Sequence, residues 1–198
     1  MMSKAVLISI QPKWCEKIAR GEKTIEVRKT RPALYKPFKC YIYCTASGIT
    51  AAERDRNIFT DLRGKVIGEF VCMSHSIKEY HADEMPFGEY DIDEDVVAAT
   101  GMTEEELWSY GQGVTLYGWH ICNLMIYKEP KELCEFFHPC IKKKYPYCLD
   151  CEHGLHDGEK PALPGLRWYD VPCDNWLKRP PQSWCYVEEV QGDASDSE

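Results

Sequence analysis

No stretch of this 198-residue chain stays apolar for more than a few residues. A membrane-spanning helix needs about 20 such residues in a row, so no segment reads as one. A long apolar core and a small-residue cleavage site are also missing from the opening MMSKAVLISIQP. That stretch reads as a first β-strand and not as a signal peptide. Internal repeats are absent, which sets aside solenoids and propellers. Positive charge is missing from one long segment: Glu79 to Glu106 holds eleven acids and no Lys or Arg.

Cysteine, by contrast, is plentiful. Eleven cysteines without an export signal argue for a reducing compartment and against a disulfide scaffold, so a cytoplasmic location is expected. Cys40, Cys44 and Cys72 sit in strand-like stretches and read as small buried hydrophobes. The net charge of -8 is unevenly spread. Met1 to Ser47 carries ten Lys and Arg against three Glu, a local balance of +7. One basic face on an acidic body suits a small anionic ligand better than a long duplex track. Solvated surface charge is the competing reading.

Periodicity predicts the elements. Val6 to Ile10 is a short strand. Pro12 suits the first turn of a helix, Trp14, Cys15, Ile18 and Ala19 recur at helical spacing, and Gly21 supplies a left-handed cap. KTIEVR then changes to period two, with Ile25 and Val27 on one face and Thr24, Glu26 and Arg28 on the other. KCYIYCT and GKVIGEFVC are further strands. TLYGWHICNLMIY is another, bent at Gly118, and SWCYVEEV is the last. TEEELWSYG opens on a capping box, Thr103 with Glu106. PKELCEF suggests a short helix starting at proline. Several short strands with few helices make an α+β chain, a small mixed β-barrel with short flanking helices. The expected organisation is a barrel over 1–137, an irregular Cys-rich insertion over 138–180, a closing strand over 181–190 and a disordered acidic tail over 191–198.

LISIQPKWCEKIARGEKTIEVRKTRP resembles the N-terminal signature of ASCH domains (activating-signal-cointegrator homology), members of the PUA-like superfamily. Ser9, Gln11, Pro12 and Trp14 carry the resemblance, with Gly21, Lys23, Glu26 and Arg28 in a G-x-K-x-x-E-x-R pattern. YGWHI matches a later strand, and RPPQSWCYVEE resembles the C-terminal stretch of a bacterial and prophage-like subgroup. The resemblance covers about residues 4–135 and 179–190. It implies a PUA-like barrel with a cleft beside the first helix. Related domains bind RNA, often at modified or extruded bases, and some small relatives hydrolyse acylated nucleosides.

The residues agree on chemistry. Glu26 can accept hydrogen bonds from an exocyclic amine or ring N–H, while Lys23 and Arg28 can hold phosphate or a carbonyl oxygen. Trp14, Trp119 or Tyr117 can stack on a base. The candidate ligand-binding set is therefore Gln11, Trp14, Lys23, Glu26, Arg28 and Trp119. A surface ion pair is the alternative for Glu26 and Arg28. The hydrolytic relatives place a threonine nucleophile three residues after the motif lysine, where this chain has Glu26, and their catalytic carboxylate falls near Thr100. Only if the protein is an enzyme are Lys23 and Glu26 its catalytic candidates, for an amidohydrolase-like or ribonuclease reaction.

In the insertion, Cys140, Cys148, Cys151 and Cys173 make a thiolate set for one structural zinc, with His153 and His156 in reserve. Cys148 and Cys151 have the spacing of a zinc knuckle. Free thiols and a redox pair compete with that reading. The favoured function is an RNA- or nucleotide-binding module. A hydrolase of modified nucleosides or RNA comes second, and a protein-interaction adaptor using the acidic segment third.

Overall fold

The computed structural model describes residues 4–46, 62–82, 90–139 and 175–190. The proposed zinc ligands Cys140, Cys148, Cys151 and Cys173, their reserves His153 and His156, and the 191–198 tail lie outside them.

The architecture is mixed α+β, with eight strands and three α-helices among the described residues. In chain order these are β1 (Lys4–Ile10), α1 (Pro12–Ala19), β2 (Ile25–Arg28), β3 (Phe38–Cys44), β4 (Val66–Cys72) and β5 (Lys78–Tyr80). There follow α2 (Glu94–Thr100), α3 (Glu104–Gly111), β6 (Leu116–His120), β7 (Cys122–Lys131) and β8 (Trp184–Glu188). The ladders form a five-stranded sheet, β7-β4-β3-β1-β8, and a three-stranded sheet, β2-β6-β5, instead of one closed barrel. β1 pairs with β3 in parallel and with β8 antiparallel.

β1 is an inner strand of the larger sheet and covered on both faces, which is why it reads as an unbroken apolar run. Its Val6, Ile8 and Ile10 join Cys15, Ile18, Phe70 and Trp119 in the main core. Ala5 and Leu7 face a second cluster with Tyr41, Val66, Phe136 and Val187. Cys40, Cys44 and Cys72 are buried in the main core as expected, and Cys185 is half-buried. A third cluster seats α2 and α3 on the smaller sheet through Ile25, Val27, Tyr80, Leu107 and Leu116.

Three local expectations change. The run TLYGWHICNLMIY is two strands, separated at Ile121, and it passes from the smaller sheet to the larger. The break is fixed by the Ile121 N–H donating to Thr24 O and by a left-handed Asn123, φ 48°. Gly118 is not the bend: a Cβ there would stand 2.6 Å from the Tyr80 ring, so glycine allows β5 to pack closely. PKELCEF is not a proline-started helix. Pro130 lies in β7, at an edge of the larger sheet where a missing N–H is tolerated, and only a 3-10 turn follows at Leu133–Glu135. The third change is α2, a helix the acidic segment concealed, while the capping box at Thr103 and Glu106 is present.

Candidate functional site

The site is assembled where α1 ends. Gly21, at φ 74°, closes the helix with its N–H on Ile18 O, and the N–H groups of Glu22 and Lys23 both donate to Lys17 O. Thr24 N–H then donates to Ala99 O at the end of α2. This turn brings Lys23 beneath the last carbonyls of that helix, where cations are favoured. Its ammonium donates to Thr100 O at 2.6 Å and to Ile25 O at 2.8 Å. Along β2 the period-two alternation sends Ile25 and Val27 into the helix-covered cluster. Glu26 and Arg28 take the opposite face, paired across the ladder with Trp119 and Tyr117.

Glu26 stands between two cations. Lys23 Nζ is 3.3 Å from Oε2, and an Arg28 guanidinium nitrogen, Nη2, is 2.9 Å from Oε1. The same nitrogen donates to Ser9 O at 2.6 Å. Lys23, Glu26 and Arg28 are only 2%, 5% and 9% exposed, so this is not a solvent-facing edge or a surface ion pair. Burial lowers the Lys23 pKa from its ordinary value, and the Glu26 carboxylate offsets part of that effect. Two cations and one carboxylate leave one net positive charge in a nearly water-free setting, an arrangement that favours a compensating anion. Among the described residues, two polar atoms of the triad accept or donate no hydrogen bond: Glu26 Oε2, which contacts Lys23 off hydrogen-bond geometry, and Arg28 Nε.

Both side chains line a cavity of about 110 Å³. Of the expected ligand-binding residues, Gln11, Trp14, Lys23, Glu26 and Arg28 are together on its wall. Trp119 is not. It is 0% exposed, packed edge-on against Phe38 at 6.1 Å and tilted against Trp184 at 5.9 Å, so a stacking role does not fit its position. Tyr117 also stays off the wall and lies 5.6 Å from the Arg31 guanidinium.

Sequence reasoning missed Met102 and Tyr110 as wall residues. They come from the turn before α3 and from α3 itself, brought over by the packing of that helix on β2. The Thr103–Glu106 capping box fixes where α3 starts and could have pointed to them. Ser9 also lines the cavity, and it ties the C-terminal segment down through Oγ donating to Pro181 O at 2.7 Å. Thr100 is buried, its hydroxyl donating to Val97 O and its carbonyl accepting from the Lys23 ammonium.

No family model and no curated protein matches the chain. Solved structures of similar course include ASCH from Zymomonas mobilis, at 17% identity over 65% of this chain and 73% of that one, with a TM-score of 0.45. A tyrosine-to-phenylalanine variant of that protein has 18% identity over 66% and 77%, with a TM-score of 0.43. A serine-to-alanine variant has 18% identity over 65% and 74%, with a TM-score of 0.41. Identities this low concern the course of the chain and say nothing of ligand or activity.

Proposed function

We propose that the protein is a binding module for RNA or a nucleotide-like ligand, with a base or modified nucleoside held in the cavity beside α1. The observation that carries this reading is a pair of buried polar atoms without hydrogen-bond partners among the described residues, Glu26 Oε2 and Arg28 Nε, on two residues that line one cavity. Buried polar groups are ordinarily satisfied, and an orphaned one costs about 1–3 kcal/mol. An acceptor beside a donor matches the edge of a nucleobase, which offers amine or ring N–H next to a ring nitrogen or carbonyl. Met102 and Tyr110 supply apolar walls around that polar floor, the usual composition of a small-molecule site.

Binding is favoured over hydrolysis by the surroundings of Lys23. Glu26 occupies the position of the relatives' nucleophile and is held by two cations, and Thr24, the nearest hydroxyl in sequence, is exposed.

Calorimetric titration with single-stranded RNA, duplex DNA and a panel of modified nucleosides tests the reading. Single-stranded or isolated nucleotide ligands should bind, and Met102→Trp, which fills the cavity and leaves the triad residues unchanged, should abolish binding while the unfolding temperature is kept. Undiminished binding by a folded Met102→Trp protein would sink the assignment to this cavity. Turnover of acylated nucleosides by wild type would replace the binder with the hydrolase.

A further inference from the structure

Trp14 does not have a free ring to offer. The ammonium groups of Lys13, Lys17 and Lys23 stand 4.2, 5.1 and 5.4 Å from its centroid. A cation over an indole face is held by the ring quadrupole, and the ring has only two faces. A base stacking there would compete with these ammonium groups for the ring. The arrangement therefore mounts cations instead of leaving a platform for a base.

These cations are incompletely neutralised. Lys13 pairs with Glu106 at 3.2 Å, and both side chains are about two-fifths exposed, a contact that water and salt weaken readily. Lys17 donates to Gly101 O at 2.6 Å and has no carboxylate partner among the described residues. Lys23 shares the single carboxylate of Glu26 with Arg28. Trp14, the ring that gathers them, lines the same cavity as Glu26 and Arg28, whose Oε2 and Nε make no hydrogen bond among the described residues.

We propose that the mouth of this cavity is a phosphate site, in which Lys13 and Lys17, seated on Trp14, take the phosphate of a nucleotide whose base lies against Glu26 and Arg28. The inference rests on the nucleotide-binding reading and deepens it: the ligand is phosphorylated, and Trp14 positions ammonium groups in place of stacking. Lysine ammoniums act as compact point charges, so the site suits a phosphate monoester of a free nucleotide or a phosphodiester of RNA equally well.

The test is calorimetric titration of the full chain with four nucleosides, their 5′- and 3′-monophosphates, inorganic phosphate and a short oligoribonucleotide. Monophosphates should bind at least tenfold tighter than the matching nucleosides, and Lys17→Gln, which keeps a donor for Gly101 O, should shrink that ratio about tenfold, as expected for loss of a charge-assisted hydrogen bond. Lys13→Gln should shrink it less. Tighter binding of the oligoribonucleotide than of any monophosphate identifies the phosphodiester as the source, and the reverse order identifies the monoester. Nucleosides binding as tightly as monophosphates would overturn the phosphate site and leave the base pocket standing. Inorganic phosphate binding as tightly as the monophosphates would support the mouth and overturn the base pocket. Absence of all binding would overturn both.

Discussion

At the scale of single residues, the triad behaves unlike three surface charges. Removing one partner of a buried ion pair leaves its mate uncompensated, at a cost of about 3–5 kcal/mol. Glu26→Gln leaves Lys23 and Arg28 facing each other without a carboxylate, so chemical denaturation should show a loss of that order. Lys23→Met leaves the 2.9 Å Arg28–Glu26 pair neutral and should cost clearly less. A larger loss for Lys23→Met than for Glu26→Gln would contradict this electrostatic account. Lys23 also gives a pH signature, in a setting that contains Glu26, Arg28 and Lys17. Its folded-state pKa is below the ordinary 10.5, so between the two values the unfolded chain binds more protons than the native one. The Lys23 contribution to stability therefore rises with pH across that window. Affinity for an anionic ligand falls across the same window as the ammonium is lost, and both trends should be missing in Lys23→Met. The period-two alternation of Glu26 and Arg28 was legible in GEKTIEVRK. Their burial was not, because it depends on packing with Ser9, Trp14, Met102 and Tyr110, which the pattern of β2 does not record.

At the scale of elements, α3 is held by its cap. Thr103→Ala removes the hydroxyl that accepts the Glu106 N–H and should cost about 1 kcal/mol of stability. Because Met102 and Tyr110 line the cavity, the same change should weaken ligand binding, measured by calorimetry at a temperature where the variant is fully folded. The β4–β7 pairing has a different point of sensitivity. A Cβ on Gly68 would lie 2.4 Å from the Met125 carbonyl oxygen, a backbone atom that no rotamer change can move. Gly68→Ala should cost about 1–3 kcal/mol, as overpacking does, with amide exchange accelerated in β7. Strand and helix positions with clean periodicity, such as β1, α1, β3 and β8, were readable in advance. α2 was hidden because its apolar residues, Val96 to Ala99, are consecutive and show no helical period. The division of β6 from β7 was hidden because a run of strand-forming residues carries no mark of a change of sheet.

At the scale of the whole molecule, charge is distributed against extended nucleic-acid binding. The exposed acids of α2 and α3 flank the basic site, so few phosphates can be engaged at once. Affinity for RNA should therefore fall only gently with salt, with a slope near one or two counterions, given about 0.7 released per phosphate contact on a single strand. A steep slope would indicate a long track instead. The Cys-rich segment adds an independent expectation from sequence: metal analysis of protein prepared without chelator should find close to one zinc per chain, released when Cys148 and Cys151 are both changed to serine.

The pairing of β1 with β8 has a consequence in time. Ser9 and Pro181, joined by the hydroxyl bond near the cavity, are 172 residues apart in the chain. At a synthesis rate of about 5–20 residues per second, roughly 9–34 s pass between the appearance of one and of the other. Throughout that interval the flank of β1 that β8 will cover is an unpaired, strongly apolar strand edge, the kind of surface that recruits other chains. Newly made protein should thus be prone to misassociate until β8 emerges, and slowing translation between the codons for β1 and those for β8 should lower the soluble yield.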